Sequence, residues 1–124
     1  MASAAPYDFI FDYLPRNIIV KPMFGMYYIY LNKKLMLMLR EAVKEPEMNG
    51  IWVATYKKHH KSLEQEIPGL AEYVLYDGDK KYESHWKLLK PGDDDFETSA
   101  IYACELISKG DNRIGRETKK APML

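Results

Sequence analysis

Apolar and polar positions alternate with two different periods along the chain, and each change of period marks an element. In AAPYDFIFDYLP, Phe9, Ile10, Tyr13 and Leu14 fall on one side of a helix. Pro6 suits its first position, where a missing N–H has no partner to lose, and Pro15 stops the run. After a connector, RNIIVKP, the period drops to two. From Gly25 onward Met26, Tyr28 and Tyr30 point to one face of a strand, and Tyr27, Ile29 and Leu31 to the other. NKK supplies a tight turn, with Asn32 tolerating a left-handed backbone. The return strand sets Leu35, Leu37 and Leu39 on one face against Met36, Met38 and Arg40 on the other. Both faces of this hairpin are apolar, which predicts a ribbon covered from both sides.

EAVKEPEMNG is polar and holds Pro46, Asn49 and Gly50, so it reads as a loop, and IWVATY as a third strand. A helix follows over Lys57–Glu66, with Thr55 as N-cap, Leu63 and Ile67 on a thin apolar side, and Pro68-Gly69 closing it. Tyr73–Tyr76 and His85–Leu89 form two more strands, joined by a turn around Asp77-Gly78. In the last helix Phe96, Ala100, Ala103, Cys104 and Ile107 recur at helical spacing, Asp94 and Glu97 make an acidic capping box, and Gly110 ends it. The order α-β-β-β-α-β-β-α predicts an α+β domain: a mostly antiparallel sheet of about five strands with helices packed on it. One domain over residues 1–110 is expected, followed by a basic, mobile tail at 111–124.

Composition narrows the function more than the fold. A chain of 124 residues buries enough surface to hold a core without metal or disulfide. Eighteen basic residues balance eighteen acidic ones, so the excess of a whole-chain nucleic-acid binder is absent and only a local basic patch remains open. Cys104 stands alone, which excludes an internal disulfide and fits a reducing compartment. The N-terminus has no secretory pattern and no segment is long and apolar enough to span a bilayer, so a cytoplasmic protein without membrane contact is expected.

Met23-Phe24-Gly25, followed by Tyr30 and a Lys-containing hairpin turn, resembles the opening of the TfoX/Sxy N-terminal domain family, in which MFG after a first helix leads into a Y…GK hairpin. HWKLLKPGDDDFETSAIYACELI is similar to the end of such domains and of the related YjbR-like proteins. The resemblance runs from Ile10 to Ile107 and implies an α/β fold of the kind just read. For the family's longer members it also implies a link to bacterial competence regulation. Met26 and Tyr28 stand where glycines often follow MFG, and the turn LNKKL lacks its glycine. The chain ends where the second domain of the regulators begins, so a stand-alone domain is expected and the regulators' function does not carry over.

Chemistry-bearing residues are sparse. His60 and Glu64 lie one helical turn apart, but two ligands do not hold a metal and no HExxH pattern follows. Ser84 and His85 project to opposite faces of a strand, so His85 cannot serve Ser84 as a base. Cys104 sits on a buried stripe and is inert. No catalytic residue, metal or cofactor is therefore expected. Two readings remain. The first is a small non-catalytic interaction domain, regulatory through protein or nucleic-acid contacts. Its basic residues are Lys57, Lys58, Lys61, Arg113, Arg116, Lys119 and Lys120, if the two segments meet in space. The second is a small-molecule binder or enzyme with a pocket beside the Tyr/Met hairpin, lined by Met23, Phe24, Gly25, Tyr28, Tyr30, Trp52 and Trp86.

Overall fold

Two-residue turns set the register of the first half of the sheet. The computed structural model describes the backbone of residues 5–77 and 80–118, with their side chains apart from those of 72–85. Strands β1 (Ile19–Met23), β2 (Met26–Leu31) and β3 (Lys34–Arg40) form a meander. Phe24 and Gly25 join the first pair with φ of 54° and 74°, and Asn32 and Lys33 the second with φ of 53° and 68°. Positive φ at both central residues is the mark of a type I′ turn, whose twist matches that of the strands it connects. The tight turn expected at Asn32 thus forms without a glycine.

RNIIVKP, read as a connector, contains all of β1 but its last residue, Met23. The strand lies at the edge of the sheet, and Lys21 and Pro22, which made it look like a loop, are the residues that blunt an exposed edge. Strands β4 (Gly50–Val53), β5 (Ala71–Asp77), β6 (Lys80–Leu89) and β7 (Arg116–Glu117) complete the sheet. Its order is β1-β2-β3-β4-β6-β5, with β7 added on β3, and every pairing is antiparallel. The fold is therefore α+β, as the periodicity predicts. The turn predicted at Asp77-Gly78 falls partly on residue 78, outside the described residues.

Register decides which residues meet the helices. Ile29 opposes Leu37, which opposes Val53, and Leu39 opposes Ile51, which opposes Leu89. These side chains are buried in one cluster with Leu63 of α1 (His60–Glu66), with Ala100, Ala103, Cys104 and Ile107 of α2 (Phe96–Ser108), and with Ile10. Lys87 shares this helix-side face opposite Val53. It is buried, and its Nζ lies 2.7 Å from Glu64 Oε2 of α1, so the ammonium leaves water with a counter-charge.

The reverse face carries Tyr28, Met38, Trp52 and Leu88 in one row. Trp52 and Leu88 are buried there, whereas Tyr28 and Met38 are half-buried. The predicted alternation fails at one point. Ile29 pairs with Leu37 but Tyr30 with Leu35, so Met36 is an extra residue in β3. This bulge turns Leu35 to the side of Tyr30 and puts Met36 with Leu37 in the helix-side core, the reverse of strict alternation.

Helix ends depart from prediction in three places. The first helix is a 3₁₀ segment, Asp8–Tyr13, preceded by Tyr7 in a left-handed conformation, so Pro6 lies outside it. The acidic capping box does not form: α2 begins after Asp95, and it is the Asp93 carboxylate that accepts a hydrogen bond, from the Asp95 N–H at 2.9 Å. Thr55 caps nothing, for reasons given below. At its far end α2 closes with a Schellman motif, Asp111 N–H donating to Leu106 O and Gly110 N–H to Ile107 O, both at 3.0 Å.

Two substitutions test this backbone. A Cβ at Gly50, whose φ is 142°, lies 2.2 Å from Leu89 O across the β4–β6 pair. Gly50→Ala is therefore expected to lower stability by at least about 2 kcal/mol. Lys33→Gly, which completes the Asn-Gly pair of a type I′ turn, should raise it by about 0.5–1 kcal/mol. Urea midpoints at constant m-value decide both.

Candidate functional site

Strand β4 leaves the sheet after Val53, and the chain that follows meets the segment arriving from α2. Ala54 is held by both neighbours: its N–H donates to Met36 O at 3.0 Å, and its carbonyl accepts the Gly115 N–H at 2.7 Å. Thr55, fully buried, donates its hydroxyl to Arg113 O at 2.7 Å, which is why it is unavailable as a helix cap. Residues 111–118, read from composition as the start of a tail, are packed instead. Ile114 is buried in the core cluster, and β7 pairs Arg116 with Leu35 and Glu117 with Lys34. A short 3₁₀ segment, Lys57–His59, leads from Tyr56 into α1.

Arg113 is the hub that ties this return to both helices. Its Nε and Nη2 meet the two oxygens of Asp111, with Nη2 2.7 Å from Oδ2. Its Nη1 reaches Ser62 Oγ at 2.6 Å and pairs with the Glu66 carboxylate, whose other oxygen accepts the Tyr102 hydroxyl at 2.9 Å. The guanidinium holds the carboxyls of Asp111 and Glu66 below the usual carboxylate range, and these two partners raise the pKa of Arg113. With each of its three nitrogens bonded to a protein group, Arg113 is a structural cation.

Around this junction lies a recess of about 290 Å³ lined by Lys34, Tyr56, Lys58, His59, Asn112, Gly115 and Glu117. The Arg116 guanidinium stacks 4.7 Å from the centre of the Tyr56 ring. Lys57, Lys58 and Lys61 are exposed. A second recess of about 170 Å³ shares Lys34 and Asn112 with the first and is floored by Leu31, Met36, Ile107 and Ile114. The two basic segments named from sequence therefore do meet in space. Lys119 and Lys120 lie outside the described residues. Chemically, the junction offers ammonium, imidazole and guanidinium groups beside one ring face, with Glu117 the carboxylate on the recess wall.

The other predicted set divides between the β1–β2 turn and the reverse face of the sheet, where Tyr28 and Trp52 share a row. Met23, Phe24 and Gly25 form the β1–β2 turn, beside a shallow recess of about 300 Å³. Phe24 is 91% exposed. Tyr30 and Trp52 are buried in the sheet, and the Trp52 Nε1–H donates to Met48 O at 3.0 Å. Tyr28 and Trp86 are half-buried. The turn and the two buried rings thus sit at different places along the strands. Burial pushes the Cys104 thiol up to about 12, so it stays protonated. The side chains of Ser84 and His85 lie outside the described residues. Among the described residues no group of three His, Cys, Asp or Glu side chains can hold a metal ion, and no helix is long and apolar enough to cross a membrane.

No protein-family model, curated protein or solved structure matches this chain.

Lys34, Tyr56, His59 and Asn112 are recess residues that sequence reading did not single out. Lys34 looked like turn filler, and nothing local to it announces Asn112. The one available signal was Ile114-Gly115 inside a charged stretch, an apolar residue and a flexible one where a tail needs neither.

The Arg113 network sets an acid limb. Asp111 and Glu66 have folded-state pKa values below their unfolded ones, so their contribution is present above the unfolded values and is lost as pH falls through the folded ones. Arg113→Met is expected to cost stability near pH 7 and progressively less as pH falls through the lowered folded-state pKa values of Asp111 and Glu66, below which the wild type has lost the same interactions. Denaturant midpoints of both chains across that range provide the check.

Proposed function

We propose that this chain is a small, non-catalytic, cytoplasmic interaction domain of the TfoX N-terminal-like kind, serving regulation by contact with nucleic acid at the junction face. One observation supports the reading above others. A chain with no net charge gathers Lys34, Lys58, His59 and Arg116, from three separate stretches, around one recess beside an aromatic ring. Phosphate oxygens are the ligands that ammonium and guanidinium groups recognise by charge, and the Tyr56 ring holds the Arg116 guanidinium in place beside the recess. Arg113 takes no part, because Asp111 and Glu66 already neutralise it.

The sequence resembles that family through an MFG placed between a first helix and a hairpin; here β1 follows the 3₁₀ helix, Met23 closes it and Phe24-Gly25 turns it into β2. The pocket reading has less support: Tyr30 and Trp52, two of its rings, are packed into the sheet.

Anisotropy titrations of labelled single- and double-stranded oligonucleotides at a series of salt concentrations test the proposal. Binding should weaken with salt at a logarithmic slope of about −3, as about three or four phosphates are neutralised. Lys58→Ala and Arg116→Ala should each reduce that slope by about 1. Absence of binding at low salt, or binding that ignores salt, contradicts the reading.

A further inference from the structure

The smaller recess beside the basic one has walls of a different kind. Its floor is four buried apolar side chains from four parts of the chain: Leu31 at the end of β2, Met36 in β3, Ile107 in the last turn of α2 and Ile114 in the return segment. Its rim is polar. Asn32 and Asn112, both exposed, bring amide groups, and Lys34 brings an ammonium. The carboxylate on the rim, Asp111, is already engaged by the Arg113 fork, with Oδ2 2.7 Å from Nη2, so its charge is compensated.

Size narrows the occupant. The recess has a volume of about 170 Å³. An engineered cavity of about 150 Å³ lined by Leu, Ile and Phe binds benzene, so a volume of this order takes one six-membered ring rather than two fused ones. The floor accepts the apolar side of such a ring, and Met36 adapts to it through a polarizable thioether. An amide both donates and accepts, which matches a ring edge carrying C=O and N–H groups side by side. Position narrows it further. Lys34 and Asn112 line both recesses, so a ring seated here leaves its attached group beside Lys58 and the other cations of the junction. A pyrimidine on a sugar-phosphate chain has both parts. It can enter only when unpaired, because a duplex spends its hydrogen-bonding edge and stacks its faces.

We infer that this recess takes one unpaired pyrimidine of a single strand, its ring over Leu31, Met36 and Ile114, its edge on the Asn32 and Asn112 amides, and its phosphate on the Lys34 side of the junction. This seat rests on the nucleic-acid reading of the junction face and adds to it a selection for single strands and for the smaller bases.

Three labelled strands of equal length test the seat by anisotropy at low salt: one wholly of abasic sugar-phosphate units, one with a single central thymine and one with a single central adenine. With no neighbouring bases, stacking within the strand does not favour either one. The thymine strand should bind about tenfold more tightly than the abasic strand, the scale of seating one base against protein, and the adenine strand should gain little. Asn112→Ala and Asn32→Gly, the latter keeping the left-handed turn, should each cut the thymine advantage severalfold. The methyl resonances of Ile107 and Ile114 should move with the thymine strand and not with the abasic one. Equal, salt-dependent binding of all three strands overturns the seat and leaves the junction reading standing. Adenine matching thymine also overturns it, as does a thymine advantage that leaves both methyls unmoved. If no strand binds at low salt, the junction reading falls and the seat with it.

Discussion

The return of residues 113–117 to the sheet is the constraint on which the rest of the structure depends. Strand β3 has a second edge that no single partner fills: β4 pairs with Leu37–Arg40, and β7 with Lys34 and Leu35. The Met36 bulge lies at the changeover, and its carbonyl accepts the Ala54 N–H. Gly115 fits because nothing larger does. Its φ is 120°, and a Cβ there would stand 2.9 Å from the Met36 sulfur. Buried Thr55 and Ile114 secure the two chains on either side of this bond. Without the return, Ala54 O and Thr55 would lose their partners inside the protein, at a cost of about 1–3 kcal/mol for each buried polar group left unsatisfied.

From that constraint follows the separation of charges. Cations near the interior are paired: Lys87 with Glu64, and Arg113 with Asp111 and Glu66. Those pairs consume three carboxylates around α1 and the return segment, so the charge left facing the recess is mainly positive. Neutral composition and a basic face are compatible for this reason, and net charge alone is a poor guide to what the surface binds.

The sequence was legible where side-chain periodicity carries the information. The buried stripe of α2, the Asn32 turn and the apolar faces of the hairpin follow from spacing that packing enforces. It was opaque where the backbone does the bonding. β1 resembles a loop because edge strands tolerate Lys21 and Pro22. The bulge at Met36 is set by where β4 and β7 divide an edge, which no local pattern records. Residues 111–118 bind chiefly through main-chain groups and the Arg113 fork, so their composition is that of a solvated tail. Of the basic residues of the site, Lys58 and Arg116 were named and Lys34 and His59 were not; their convergence depended on this return, and Lys34 and Asn112 enter only through it.

Amide hydrogen exchange, read residue by residue in the full chain, tests the return most directly. The Gly115 N–H, bonded to Ala54 O, should be protected to a degree comparable with the Ala54 N–H itself, as one cooperative unit with the sheet. Exchange of Gly115 at the rate of an unstructured peptide, with Ala54 still protected, would show that the segment is not part of the fold, and the assembled basic face would go with it.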